Sequence, residues 1–252
     1  MEKEYCIFGR KPILEALNSG RQIDKIMLLK TAHGEDLNVI AAKARQENIP
    51  VQFVPVEKIE FAVRKFTRNR EANHQGAVAF VSLLNTLSIA EMLEKVAAQG
   101  KVPFVVVLDG VTDVGNFGAI ARSAYCFGAQ AIVMAAKGSA PISPEAIKTS
   151  AGALEKLMIC KVENIATAVK YLKAHGLKVY ATSEKAKVKV ADADFNPAAA
   201  IVLGDEGEGV SNIVMKQCDE MLLIPMASNF DSLNVSVSAG VVFYEAMKQR
   251  TA

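Results

Sequence analysis

The sequence predicts an α/β protein of two domains: a small α/β module over residues 1–82, then a mostly parallel, doubly wound sheet over 104–252. A linker and docking helix, 83–103, joins them. Three observations predict this architecture. After Phe104, runs of Val, Ile and Leu recur at strand length without alternation, the pattern of strands covered on both faces. Segments of helical periodicity separate those runs, and alternating strands and helices build a parallel sheet. The chain's 252 residues, 51% of them apolar, supply a core that needs neither disulfides nor a structural metal.

In the first module, Pro12 to Leu17 reads as a short helix and Lys25 to Leu29 as a strand. Asn38 to Glu47 reads as a helix with apolar Val39, Ile40, Ala42 and Ala44, and Val51 to Val54 and Ala77 to Val81 as strands. Ser88 and Glu91 have the spacing of a capping box and open a helix to Ala98, with Gly100 and Pro103 behind it. The sheet that follows takes strands at Phe104 to Leu108, Ala131 to Met134, Lys178 to Ala181, Ile201 to Leu203 and Met221 to Ile224. Its helices are Asn116 to Phe127, Pro144 to Gly152 behind a Ser143 cap, Ile165 to His175, and Leu233 to Arg250. Such sheets bind ligands beyond the carboxyl ends of their strands, so the loops after Leu108, Leu203 and Ile224 are the predicted site.

Several function classes have no support. Neither G-x-G-x-x-G after a strand nor a P-loop occurs. The four cysteines have no C-x-x-C spacing and only three histidines stand beside them, which argues against a metal site. Cys6, Cys126, Cys160 and Cys218 read as reduced, structural thiols, the first three beside apolar neighbours. No apolar run approaches the roughly 20 residues that cross a bilayer. With no readable signal or transit peptide, the expected address is cytoplasmic. A net charge of +2 leaves the question of a polyanion to local clustering.

Three loops carry the chemistry. LDGVTDVGNFGAIARSA, residues 108–124, follows a strand with Gly110, Gly115 and Gly118, then Asn116 and Arg122. IVLGDEGEGVS, 201–211, runs a strand into three glycines and three acids, and IPMASNFDSLNVSVSAGVVFYEA, 224–246, joins a strand to a helix through a polar loop. Taken singly, each has an ordinary structural explanation: glycine turns a chain, Asn116 or Ser232 caps a helix, and Arg122 lies along a solvated face. Three strand ends rich in Gly, Asn and Ser together suit a site built from backbone groups.

These segments resemble the three motifs of the SpoU (TrmH-like) family of RNA 2′-O-ribose methyltransferases. The matching cores are N-x-G-x-x-x-R at Asn116 to Arg122, G-x-E-G-x-G at Gly204 to Gly209, and I-P-M with S-L-N-V-S at Ile224 to Met226 and Ser232 to Ser236. The resemblance implies a SPOUT-like domain with a C-terminal trefoil knot that holds S-adenosylmethionine as cofactor through Gly204, Ile224 and Leu233. Arg122, Asn116, Glu206, Ser232 and Asn234 would be the catalytic set: Arg122 binds a phosphate and stabilises the reacting oxygen, Asn116 orients the ribose, and Glu206 holds the arginine or the loop. It also implies a homodimer in which each site draws on both subunits. Two positions depart from the family pattern: Ser228, where many relatives carry glycine, and Asp205, where many carry a small residue.

IFGRKPILEAL at Ile7 to Leu17 and NHQGAVAF at Asn73 to Phe80 resemble the RNA substrate-binding domain of family members that methylate a guanosine of 23S rRNA. The resemblance therefore favours rRNA over tRNA as partner. FAVRKFTRNR, 61–70, adds a basic patch of Arg64, Lys65, Arg68 and Arg70 without an acid, and Arg10 is a further candidate for RNA contact. The interleaved Phe61 and Phe66 read either as stacking groups or as core. Two rivals of other classes are a non-catalytic RNA-binding assembly protein and a nucleotide-dependent small-molecule enzyme. The intact motif residues oppose the first, and the missing phosphate loops and the basic patch oppose the second.

Overall fold

The computed structural model describes residues 5–21, 23–66, 73–81, 83–227 and 232–251. The chain divides into two compact units, Met1–Asn85 and Thr86–Ala252. In the first, β1 (Tyr5–Phe8), α1 (Arg10–Asn18), β2 (Ile23–Leu29), α2 (Glu35–Gln46), β3 (Val51–Val54), α3 (Val56–Phe66) and β4 (Ala77–Val81) follow in order. They form a four-stranded sheet, β1-β4-β2-β3, with β4 antiparallel to both neighbours and β2 parallel to β3. All five residues of β4 are buried, because helices cover both of its faces. Ala77, Ala79 and Val81 pack with α1 and α2. Val78 and Phe80 pack with Ile59, Ala62 and Val63 of α3.

The second unit contains β5 (Thr86–Leu87), α4 (Ile89–Ala98), β6 (Phe104–Asp109), α5 (Val114–Cys126), β7 (Ala131–Ala135), α6 (Pro144–Thr149), β8 (Met158–Val162), α7 (Ile165–Ala174), β9 (Lys178–Thr182), β10 (Val188–Lys189), β11 (Ala199–Gly204), α8 (Asn212–Met215), β12 (Glu220–Leu223) and α9 (Val235–Arg250). The sheet order is β10-β12-β9-β11-β6-β7-β8-β5, and every pairing is parallel. Val105, Val107, Val133, Val179 and Val202 face Met92, Val96, Val169 and Leu172 of α4 and α7 on one side. Phe104, pointing to the other side, meets Phe243 of α9 edge to face at 5.9 Å. Both faces are therefore covered, which is why the strands read as unbroken apolar runs.

The caps sharpen the sequence reading and correct it twice. Ser88 and Glu91 form the reciprocal capping box, and Ser143 caps α6 ahead of Pro144. At α5 the cap is Asp113, whose Oδ1 accepts from the Asn116 amide at 2.7 Å, so Asn116 lies inside the helix with its side chain free for other work. At α9 the cap is Asn234 and not Ser232, and the helix starts at Val235. Sequence reading also left out β1, β8 and all of α3 before Phe61. Gly118 allows α5 to touch α6: a Cβ there would sit 2.7 Å from that of Thr149.

Candidate functional site

The sheet order sets the carboxyl ends of β12, β9, β11 and β6 side by side. After β11 the chain makes a tight turn in which Asp205 and Gly209 exchange backbone hydrogen bonds at 3.2 and 2.9 Å. The Asp205 carboxylate accepts from the Gly207 amide at 3.0 Å, so its departure from the family pattern has a local role as a turn former. Asp109 at the end of β6 accepts from the Ser211 amide at 2.8 Å and ties the far side of the turn to the neighbouring strand. The turn folds directly across Gly204. A Cβ on Gly204 would lie 1.9 Å from the carbonyl carbon of Gly209.

Between this turn, the end of β9 and the segment after β12 lies a cavity of about 530 Å³. Gly204, Ile224 and Leu233, the three cofactor candidates, all line it, as do Glu206 and Ser232. Its walls are the backbone of the glycine-rich turn with apolar Val210, Leu222 and Ile224, the surroundings that hold a heteroaromatic ring by main-chain hydrogen bonds and flat contact.

Asn234 joins the three motifs. Its Nδ2 donates to Asn116 Oδ1 at 3.1 Å and also to Glu206 Oε1. Its Oδ1 accepts from the Ser236 amide at 2.9 Å and from the Val237 amide at 3.3 Å, so one side chain caps α9 and organises the site. Arg122 stands apart. It is exposed and makes no hydrogen bond or ion pair among the described residues. Six residues carry it about 9 Å along α5 from Asn116 and roughly 120° round the helix. Of the two roles expected for Glu206, holding the arginine or the loop, the hydrogen bond present is the one to Asn234 in the loop before α9.

Sequence reasoning missed the end of β9, where Thr182 and Ser183 line the cavity and the Ser183 amide donates to Leu222 O at 3.0 Å. A polar Thr-Ser pair directly after the buried strand was the available signal. Two cysteine expectations also separate. Burial pushes the Cys160 and Cys218 thiols up to about 12, which leaves them inert, whereas Cys126 is exposed at the end of α5 and is not a core residue. Among the described residues no cluster of His, Cys, Asp and Glu has the arrangement of a metal site, and no helix is long and apolar enough to cross a membrane.

In the first unit, Arg10 is engaged in the fold. Its Nε donates to Gln75 O at 3.1 Å and a terminal nitrogen donates to His33 O at 3.3 Å, so it ties the start of α1 to the loops before α2 and before β4. Arg64 is exposed on α3, paired with Glu60 at 3.1 Å. Lys65 lies next to it on the helix, and Arg68, Arg70 and Ser228 lie outside the described residues.

Residues 103–244 match the profile described as the SpoU rRNA Methylase family, more than half of the chain. The chain belongs to the SpoU methylase family. Residues 6–87 match a second profile, RNA 2′-O ribose methyltransferase substrate binding. YacO of Bacillus subtilis, named as a TrmH family tRNA/rRNA methyltransferase, is 30% identical over 97% of this chain and 95% of its own length. The Synechocystis protein slr0955, named as a tRNA/rRNA methyltransferase, is 32% identical over 97% of this chain, which spans 62% of that longer protein. In fold the SpoU chain resembles the methyltransferase AviRb from Streptomyces viridochromogenes, whose structure contains the cofactor AdoMet. The TM-score is 0.61 at 23% identity, covering 98% of this chain and 91% of the other. This SpoU chain is thus an RNA methyltransferase.

Proposed function

We propose that the protein methylates the ribose 2′-hydroxyl of a guanosine in 23S rRNA, acting in the cytoplasm as a homodimer whose C-terminal segment is passed through a trefoil knot. The observation that carries this reading is the hydrogen-bonded trio Asn116, Asn234 and Glu206 at the rim of the cavity lined by Gly204, Ile224 and Leu233. S-adenosylmethionine, when bound, supplies an electrophilic methyl group. The chain's own residues hold it, through the backbone about Gly204 and the apolar flanks of Ile224 and Leu233, and they align the ribose. Asn116 orients the sugar, and Ser232 completes the pocket wall. Holding the 2′-hydroxyl against the place the methyl group would occupy is the chain's own contribution to the acceleration. Glu206, held by Asn234, keeps the loop in its working position.

Arg122 acts as an electrostatic group. A guanidinium keeps its proton, so it binds the neighbouring phosphate and stabilises charge developing on the 2′-oxygen as the hydroxyl proton passes to solvent. It has no partner among the described residues and does not reach Glu206, which supports a role in the site of a second subunit. An open apolar groove of about 490 Å³ between Phe127, Val237, Val241 and Tyr244 suits that pairing, and Ile224 lines both groove and cavity. The SpoU rRNA Methylase description of the matching family supports rRNA, while the tRNA/rRNA names of the relatives keep tRNA as the second substrate to be tested.

The test is methyl transfer from radiolabelled S-adenosylmethionine to 23S rRNA, 16S rRNA and bulk tRNA from cells lacking the modification. The expected result is label in 23S rRNA that survives base hydrolysis as a 2′-O-methylated dinucleotide. Arg122→Ala is expected to abolish transfer and leave cofactor binding within a few fold. Label in tRNA alone transfers the proposal to tRNA, and no label with no cofactor binding removes it.

A further inference from the structure

Helix α3 carries a phenylalanine that its core does not account for. Ile59, Ala62 and Val63 of this helix pack on the sheet with Cys6, Val78 and Phe80. Phe61 points the other way, 72% exposed, more than any other large apolar residue among those described. Helical spacing sets Lys58 and Arg64 one turn to either side of it, and Lys65 follows four residues on. From Phe61 to Arg70 the sequence has four cations and no acid, in a chain whose net charge is only +2. The Arg64 side chain is 77% exposed, and its ion pair with Glu60 is a solvated pair that a phosphate readily replaces.

An exposed aromatic ring with Lys58 and Arg64 one turn to either side, and one acid, Glu57, beside Lys58, fits one chemistry well: a nucleobase whose π face lies open next to phosphate. Paired RNA offers no such face, because its bases are stacked. Loops and bulges do. We propose that Phe61 is a stacking platform for an unpaired base of the RNA substrate, with Arg64 holding an adjoining phosphate. This rests on the reading of the chain as an RNA methyltransferase and adds to it a substrate requirement: single-stranded nucleotides beside the methylated site or at a fixed distance from it.

The experiment uses the full chain and two fluorescein-labelled RNAs, a hairpin with an unpaired loop and a fully paired duplex of the same length, with affinity measured across a salt series. Phe61→Ala is expected to weaken hairpin binding on the order of tenfold and leave duplex binding and the salt slope unchanged. Phe61→Trp is expected to restore hairpin binding. Arg64→Ala should lower the salt slope on both RNAs. Equal weakening on both RNAs by Phe61→Ala, no weakening, or no rescue by tryptophan overturns the proposal. So does a change in thermal midpoint or sedimentation on Phe61→Ala, since it would mean that protein, either another part of this chain or a second copy, covers the ring. Failure of the underlying enzyme reading appears elsewhere, as absence of methyl transfer by the unsubstituted protein.

Discussion

Asn234 performs two tasks that a single substitution separates. Its Oδ1 caps α9, and its Nδ2 holds Asn116 and Glu206. Asn234→Asp keeps the capping oxygen, so the thermal midpoint should stay within a few degrees, but it replaces the donor with a carboxylate facing Glu206. Methyl transfer should fall by a factor on the order of 10² to 10³, the size of losing one preorganised donor. Asn234→Ala removes both functions and should in addition destabilise by about 1 kcal/mol. Thermal melts and single-turnover transfer on the two variants check this; activity of Asn234→Asp equal to that of the unsubstituted protein would detach Asn234 from the chemistry. Gly204 behaves differently. A Cβ there meets the backbone of the turn at 1.9 Å, so Gly204→Val disrupts the turn itself before it reports on cofactor contact. Its expected signature is a lowered thermal midpoint together with lost cofactor affinity.

Elements are placed by contacts that local pattern does not encode, and this explains what was legible. The long strands and the capped helices α4, α6 and α7 could be read from periodicity and caps. β8 was hidden because Lys161 interrupts Met158–Val162, and β5 and β10 are two residues long. The site motifs were legible as residue types, whereas the Asn116, Asn234 and Glu206 junction spans 118 residues and needed the fold. Asp219 shows how an element is pinned: it receives Lys173 Nζ and the Val179 amide, both at 2.8 Å, and seats the start of β12 beside β9. Burial works to raise its carboxyl, but the Lys173 hydrogen bond, the Val179 amide and the charges of Lys173 and Lys178 outweigh burial and hold it below the ordinary value. A depressed carboxyl stabilises the fold fully above the unfolded value, near 4, and loses that contribution as pH falls through its lowered native value. The stability gap between the unsubstituted protein and Asp219→Asn should hence be constant above about pH 5 and shrink below about pH 4, as read by urea melts. Arg250 latches the other end, donating to the carbonyls of Phe195, Pro197, Val102 and Pro103 beneath the Phe104 ring. Arg250→Ala should cost about 2–4 kcal/mol in the same melts, with Arg250→Lys recovering only part because an ammonium lacks the planar fork.

At the scale of the whole molecule, the question is how a site with Arg122 outside its hydrogen-bonded trio becomes complete. If a second subunit supplies the arginine, activity is a property of the dimer, and two dead proteins can repair each other. In a mixed dimer, the Arg122→Ala subunit offers an intact Asn116, Asn234 and Glu206 trio, and the Asn234→Asp subunit offers an intact arginine. One of the two sites then has every group it needs. Random exchange of equal amounts makes half of the dimers mixed, each with one working site, so about a quarter of full activity should return. If Arg122 serves its own subunit, each site in the mixed dimer keeps one lesion and activity stays at the level of the separate variants. Val241→Glu, which puts a charge into the apolar groove, should abolish the recovery and shift sedimentation to the monomer, because a buried unpaired carboxylate is too costly for that contact to survive. Recovery without dimers, or dimers without recovery, would reject shared sites, and the second outcome would return Arg122 to its own chain.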